Sequence, residues 1–203
     1  MILIGQFDSP FVRRVGIALT LYGLPFEHRP WSAFGDAEKI RVYNPLARVP
    51  TLVALDGRVL TESAAIVLHL ADLHPEAGLA PAPGDPDRPA FLNRLIWFVS
   101  ALYPTFTYRD YPERWAPSAA GELVERVDAF RKSLWRQLED DAGDGPWMLG
   151  ETPSALDLYV AVMSHWRPRR TWLAERCPKL HAIATRADAL PAIAAVLSRN
   201  FPG

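Results

Sequence analysis

The sequence predicts an α/β unit of order β-α-β-α-β-β-α followed by an all-helical unit, and three observations lead there. Strand-like and helix-like patterns alternate over residues 1–77, a stretch in which proline and glycine recur fills 78–88, and residues 89–203 read almost entirely as helix. At 203 residues the chain can form one large domain or two small ones, and 49% apolar content with 22% charged residues supplies a substantial core. The Pro/Gly stretch therefore reads as a linker between two domains.

Each element of the first unit has its own signal. Ile2–Ile4 is a short apolar run suited to a buried strand. A helix is expected from Pro10 to Tyr22, because Phe11, Val15, Ala18, Leu19 and Tyr22 recur with helical periodicity and Gly23 with Pro25 supplies the stop. Phe26–Arg29 reads as a second strand and Asp36–Tyr43 as a short, weak helix. The run 50-PTLVALDGRVL-60 reads as two strands joined at Asp56-Gly57, a dipeptide that accepts the positive φ of a tight hairpin turn. A helix over Glu62–Leu73 completes the unit.

In the second unit helices are expected near 88–104, 118–141, 154–167 and 178–198, the last broken near Pro191. The third has a legible start. Ser154 stands three residues before Asp157, so the carboxylate can reach back to the helix's first amide, and the following turns are apolar on nearly every side. A helix of that kind belongs at the centre of a bundle.

Charge and composition exclude several classes of function. Lys and Arg total 22 against 23 for Asp and Glu, a net charge of -1, so there is no basic footprint for nucleic acid or anionic lipid and neither partner is expected. No window approaches the roughly 20 apolar residues of a membrane-spanning helix. The apolar stretch at Met1–Gly5 is too short for a signal peptide, so no leader and a cytoplasmic location are expected. The single Cys177 cannot form an internal disulfide and fits a reducing compartment. No metal is expected: His69 and His74 do not share a helix face, and no Cys or carboxylate cluster joins them.

Three features of the first unit could carry chemistry. Ser9-Pro10 reads locally as an N-cap with proline at the first helical position, yet a hydroxyl at a positive helix end also stabilises a bound thiolate and lowers a thiol pKa from its usual value of about 8.5. At Val49-Pro50 a cis bond would turn the backbone of Val49 outward for pairing with an extended peptide, while a plain edge-strand proline fits equally well. In 61-TESAAI-66, Thr61 or Ser63 caps a helix, or the same helix start receives a carboxylate while Glu62 holds an ammonium. The second unit adds 97-WFVSALYPTFTYRDYPERW-115, with more aromatic side chains than a helix core usually needs, although core packing is the favoured reading for any single one.

Taken in order, Ser9-Pro10-Phe11 with Arg14, 44-NPLARVPTL-52, 61-TESAAI-66 and 150-GETPSALD-157 resemble the glutathione S-transferase family over nearly the whole chain, in its serine-type, bacterial or tau-like form. The resemblance implies a thioredoxin-like glutathione-binding domain followed by a helical-bundle domain. It implies that Ser9 stabilises the glutathione thiolate, that Val49 pairs through its backbone with the cysteinyl unit beside a cis Pro50, and that Glu62 and Ser63 hold the γ-glutamyl end. The position at which related members often carry a lysine for the glycyl carboxylate is Asp36 here, which leaves Lys39 or Arg41 for that role, and Arg48 is a further candidate contact. Phe11, Tyr103, Phe106, Tyr108 and Trp166 become candidate walls for an apolar electrophile. No cysteine occupies the active-site position, so disulfide exchange is disfavoured. The implied activity is transfer of the glutathione thiol to an electrophile, as in detoxification, by a homodimer. A glutathione-dependent isomerase or dehalogenase, and a non-catalytic interaction protein of the same fold, are the alternatives.

Overall fold

The computed structural model describes residues 1–199. Contacts divide the chain into two units, Met1–Pro83 together with the chain from Arg186 onward, and Gly84–Thr185.

The first unit contains β1 (Ile2–Ile4), α1 (Pro10–Leu21), β2 (Glu27–Arg29), α2 (Ala37–Arg41), β3 (Thr51–Val53), β4 (Val59–Thr61) and α3 (Ser63–Leu73), the order expected of a thioredoxin-like unit. The sheet order is β2-β1-β3-β4, with β1 parallel to β2 and antiparallel to β3. The hairpin closes where expected. Gly57, at φ 83°, takes a backbone conformation that side chains disfavour, and its N–H donates to the Ala54 carbonyl at 3.1 Å. Leu3 and Ile4 on β1, Leu52 on β3, and Ile66, Val67 and Leu70 on α3 form the core.

Burial of α1 differs from the stripe that its apolar residues predict. Every residue from Val12 to Leu19 is buried, Arg13 and Arg14 included, because α3 packs against α1 and a further helix, α11 (Pro191–Leu197), packs there too. A helix covered from several sides cannot show its burial as a single periodicity.

The second unit is helical: α4 (Arg88–Trp97), a π-helical turn (Phe98–Leu102), α5 (Pro104–Asp110), α6 (Pro112–Trp115), α7 (Ala120–Asp141), α8 (Ala155–Met163), α9 (Arg170–Arg176) and the start of α10 (Pro178–Asp188). The helix expected near 88–104 therefore continues past Pro104, which stands at the first position of α5 and needs no N–H there. The short α9 was not foreseen, since it lies between Pro168 and Pro178 in a run without apolar periodicity.

The start of α8 is built as the sequence implies. Leu156 N–H donates to Ser154 Oγ at 3.2 Å, and Asp157 Oδ2 accepts from the Ser154 N–H at 2.7 Å and from its hydroxyl at 2.9 Å. Asp157 Oδ1 also accepts from Met148 N–H at 2.8 Å, which ties the preceding loop to the helix. All of α8 is buried. Among the described residues no single helix is long and apolar enough to cross a membrane.

Candidate functional site

Strand register brings the three motifs of the first unit to one end of its sheet. Ile4 pairs with Thr51, and Thr51 pairs with Thr61, so these residues form one row across β1, β3 and β4. The loop holding Ser9 leaves that row from β1, Val49-Pro50 enters it at β3, and Glu62-Ser63 leaves it from β4. Segments distant in sequence thus meet because β1 and β4 each run antiparallel to the β3 strand between them.

Ser9 occupies the N-cap position of α1 in extended backbone (φ -71°, ψ 122°), with Pro10 following as the first helical residue. Its side chain is half-buried and caps nothing, and among the described residues the hydroxyl makes no hydrogen bond. The local cap reading therefore holds for the backbone and fails for the side chain. A free hydroxyl at the positive end of a twelve-residue helix with no acid in its first turn is a donor held ready for an anion. Gly5 lets this loop pass close to its neighbours: a Cβ on Gly5 would stand 2.5 Å from Val12 Cγ2 and 2.8 Å from Val49 Cβ, and its φ is 134°.

The Val49-Pro50 bond is cis. Among the described residues the N–H and C=O of Val49 have no hydrogen-bond partner, which leaves a two-pronged backbone edge beside β3. Asn44 and Thr51, two residues that the sequence reading passed over, shape this loop from beneath. Asn44 Nδ2 donates to the Arg48 carbonyl at 3.1 Å and to Thr51 Oγ1 at 3.2 Å, while Thr51 Oγ1 donates to the same carbonyl at 2.9 Å. Both side chains are buried, and a polar residue at each end of 44-NPLARVPT-51 was the signal available.

At the third motif Glu62 is exposed and holds φ 62°, ψ 106°, immediately before α3. No side chain caps α3, and Ser63, 3% exposed, makes no hydrogen bond through its hydroxyl among the described residues. Open amides, a free hydroxyl and an acid at φ > 0 stand together, an arrangement suited to both charges of an α-amino acid.

The remaining candidates are placed less uniformly. Lys39 Nζ donates to Asp36 Oδ1 at 2.7 Å and lies 5.9 Å from the Trp31 ring centroid, so its charge is shared with a half-buried carboxylate. Arg48 is exposed, with no side-chain partner among the described residues. Phe11 is half-buried two residues beyond Ser9.

In the second unit Tyr103, Tyr108 and Trp166 are half-buried. Phe106 is 2% exposed, with the Trp166 ring edge-on at 5.2 Å and the Arg131 guanidinium 4.6 Å from its centroid, so it packs behind these residues and presents no open face. Trp166 sits in a loop where Arg169 takes φ 80°, and Arg170 braces that loop by donating from Nε to Ser164 Oγ at 2.6 Å and from Nη2 to the Ala161 carbonyl at 3.1 Å. Cys177 is buried and its thiol is pushed up to about 12 by desolvation, with Glu139 adding to the shift, so it is no nucleophile at neutral pH. Among the described residues no group of His, Cys, Asp and Glu could hold a metal ion.

Comparison with known proteins gives the family. Residues 3–78 match the model of the glutathione S-transferase N-terminal domain. The GST-like protein YncG of Escherichia coli K12 is 37% identical over 188 residues, 91% of each chain. The maleylacetoacetate isomerase of Pseudomonas aeruginosa is 25% identical over 210 residues, which cover 100% of this chain and 98% of that one. A sphingomonad glutathione S-transferase solved in complex with glutathione superposes with a TM-score of 0.84 at 28% identity, covering 99% of this chain and 100% of that one. By its sequence matches, its fold and the grouping of its motifs at one end of the sheet, the chain belongs to the glutathione S-transferase family.

Proposed function

We propose that the protein is a glutathione transferase that holds the glutathione thiolate against the Ser9 hydroxyl for attack on an apolar electrophile. The observation that carries this reading is the register row Ile4-Thr51-Thr61, which sets a free hydroxyl, an unpaired backbone edge and an uncapped helix start at one end of a single sheet. A tripeptide with a central thiol and an amino-acid head needs those three elements. In this reading Val49 pairs with the cysteinyl unit, Glu62 and Ser63 hold the γ-glutamyl end, and Lys39 and Arg48 face the glycyl carboxylate. Phe11 is the first unit's apolar contact for the electrophile, and Tyr103, Tyr108 and Trp166 are the candidates within the second unit.

Acceleration comes from stabilising the sulfur anion and from holding two reactants together. Ser9 donates its hydrogen bond and never ionises. Ser9→Ala is expected to lower kcat roughly a hundredfold, as loss of one donor to a reacting anion does elsewhere, while the glutathione Kd stays within about twofold. Conjugation at the wild-type rate by Ser9→Ala would refute the reading. The likeness to an isomerase supports a second use of the same thiolate, addition and elimination without net transfer, and a panel of electrophiles and cis-alkenes with product analysis separates the two.

We further propose a homodimer in the cytoplasm. Phe34 and Val42 at 78% exposure and Leu46 at 73% are large apolar side chains of the first unit that stand in water in the single chain.

A further inference from the structure

We infer that Arg13 is a positioning residue for the reacting thiol, holding the loop that carries Ser9 through three successive carbonyls while His28 holds the same loop from its other end; this rests on the thiolate reading above. One residue supplies all three of those bonds. The Arg13 N–H donates to the Ser9 carbonyl at 3.0 Å, and its Nη1 donates to the Phe7 carbonyl at 2.8 Å and to the Asp8 carbonyl at 3.3 Å. The next carbonyl back, Gln6, accepts from the Ser9 N–H at 3.2 Å. The one before that, Gly5, accepts from His28 Nε2 at 2.8 Å, which fixes the ring proton on that nitrogen, since a carbonyl can only accept. The His28 ring also stacks on Phe7, centroids 4.1 Å apart.

Every carbonyl from Gly5 to Ser9 is therefore engaged by a donor. That matters for a loop meant to face sulfur. Carbonyl oxygens carry partial negative charge, and one turned toward a thiolate would raise the thiol pKa that the Ser9 hydroxyl and the helix end lower. With all of them engaged, the Ser9 hydroxyl is the donor this loop leaves open.

The choice of arginine is informative as well. Arg13 is fully buried, as are Val12, Val15 and Ile17 of the same helix, and an apolar side chain at 13 would avoid the cost of desolvating a charge. Burial brings its pKa down to about 10 against the opposing pull of Asp8 and Asp188, so it remains a cation at neutral pH in the first turn beneath Ser9. Both side-chain bonds leave one guanidinium nitrogen, whose two N–H groups are fixed in the guanidinium plane, whereas a lysine would have to bring a freely rotating ammonium to the same place.

The test measures the thiol pKa of bound glutathione from thiolate ultraviolet absorbance across pH, with the glutathione Kd from calorimetry and kcat from conjugation. Arg13→Met is expected to raise the bound thiol's pKa by about one unit and lower kcat near neutral pH about tenfold, with Kd within about twofold. Arg13→Lys, which keeps the charge and N–H donors but on a shorter, rotating ammonium, is expected to recover part of both. His28→Phe, which keeps the stack on Phe7 and loses the bond to Gly5, is expected to shift the thiol pKa in the same direction by less. A merely structural arginine would change the melting temperature and leave the pKa of the bound thiol alone. If Arg13→Met does not fold, unchanged thiol pKa values in both Arg13→Lys and His28→Phe overturn the inference. If wild type lowers the thiol pKa, Ser9→Ala abolishes that effect and the Arg13 variants match wild type, the inference fails while the thiolate reading stands. If wild-type protein binds glutathione without lowering its thiol pKa, the thiolate reading fails and takes this inference with it.

Discussion

His28 shows how one side chain can link acidity to the integrity of the loop that carries Ser9. Burial is the main reason its pKa lies below the ordinary value of 6.5, and the Arg199 charge adds to that, while the bond to Gly5 opposes it. Neutral imidazole is thus the form that the folded state prefers. As pH falls through 6.5 toward the lower folded value, the unfolded chain takes up the proton first, so His28's contribution to stability is lost on acidification and is fully present above that window. Urea midpoints measured through this range should fall less steeply for His28→Phe than for wild type, and identical slopes would remove His28 from the account. Asp157 works under the opposite pressure. Burial raises its pKa, whereas bonds from Met148 and Ser154 pull it down, and among the described residues those donors have no other acceptor.

Among the elements, the start of α3 has the clearest separable role. Glu62 takes a backbone conformation costly for any residue with a Cβ, yet its carboxylate has no protein partner among the described residues. Glu62→Gly relieves the backbone and removes the charge. The melting temperature should hold or rise while the glutathione Kd weakens about tenfold, in line with losing one charge-assisted contact. A variant that binds as tightly as wild type would show that the strain serves the turn alone.

Such a start was half legible in the sequence. The residues 61-TESAAI-66 announced a helix with hydroxyls at its mouth, but choosing between cap and ligand site needed the hydrogen-bond inventory. Ser154 resolved as a cap because Asp157 stands beside it to complete the box, and Ser9 and Ser63 did not. Strands and most helices were legible because each follows a local pattern. The buried arginines of α1 were not, since charge at helical spacing reads as a solvated face until neighbouring elements are known to cover it. The Asn44–Thr51 bonds were hidden for a related reason: they support backbone, and backbone demand leaves no periodic trace.

At the scale of the molecule, the chain beyond Arg186 groups with the first unit although the sequence reads it as a continuation of the helical second one. Ile193, Val196 and Leu197 of α11 are buried, and an amphipathic helix does not announce which surface it will cover. The exposed apolar side chains Phe34, Val42 and Leu46 pose the complementary question of what covers them. If a second copy does, Leu46→Glu should move the mass seen by light scattering from dimer toward monomer at micromolar concentration without lowering the melting temperature of each chain. A wild-type protein that scatters as a monomer would end the dimer proposal.

Gly5 carries a consequence for ligand choice. The loop bearing the hydroxyl and the strand edge that would grip a peptide come within contact distance only because a hydrogen atom stands where every other residue has carbon, and a methyl group there would collide with Val12 and Val49 alike. If the proposed thiol binds here, the gap between its sulfur and its main chain is gauged by the smallest side chain in the genetic code. A wedge at that carbon would spread the jaws and favour thiols on longer arms than that of cysteine.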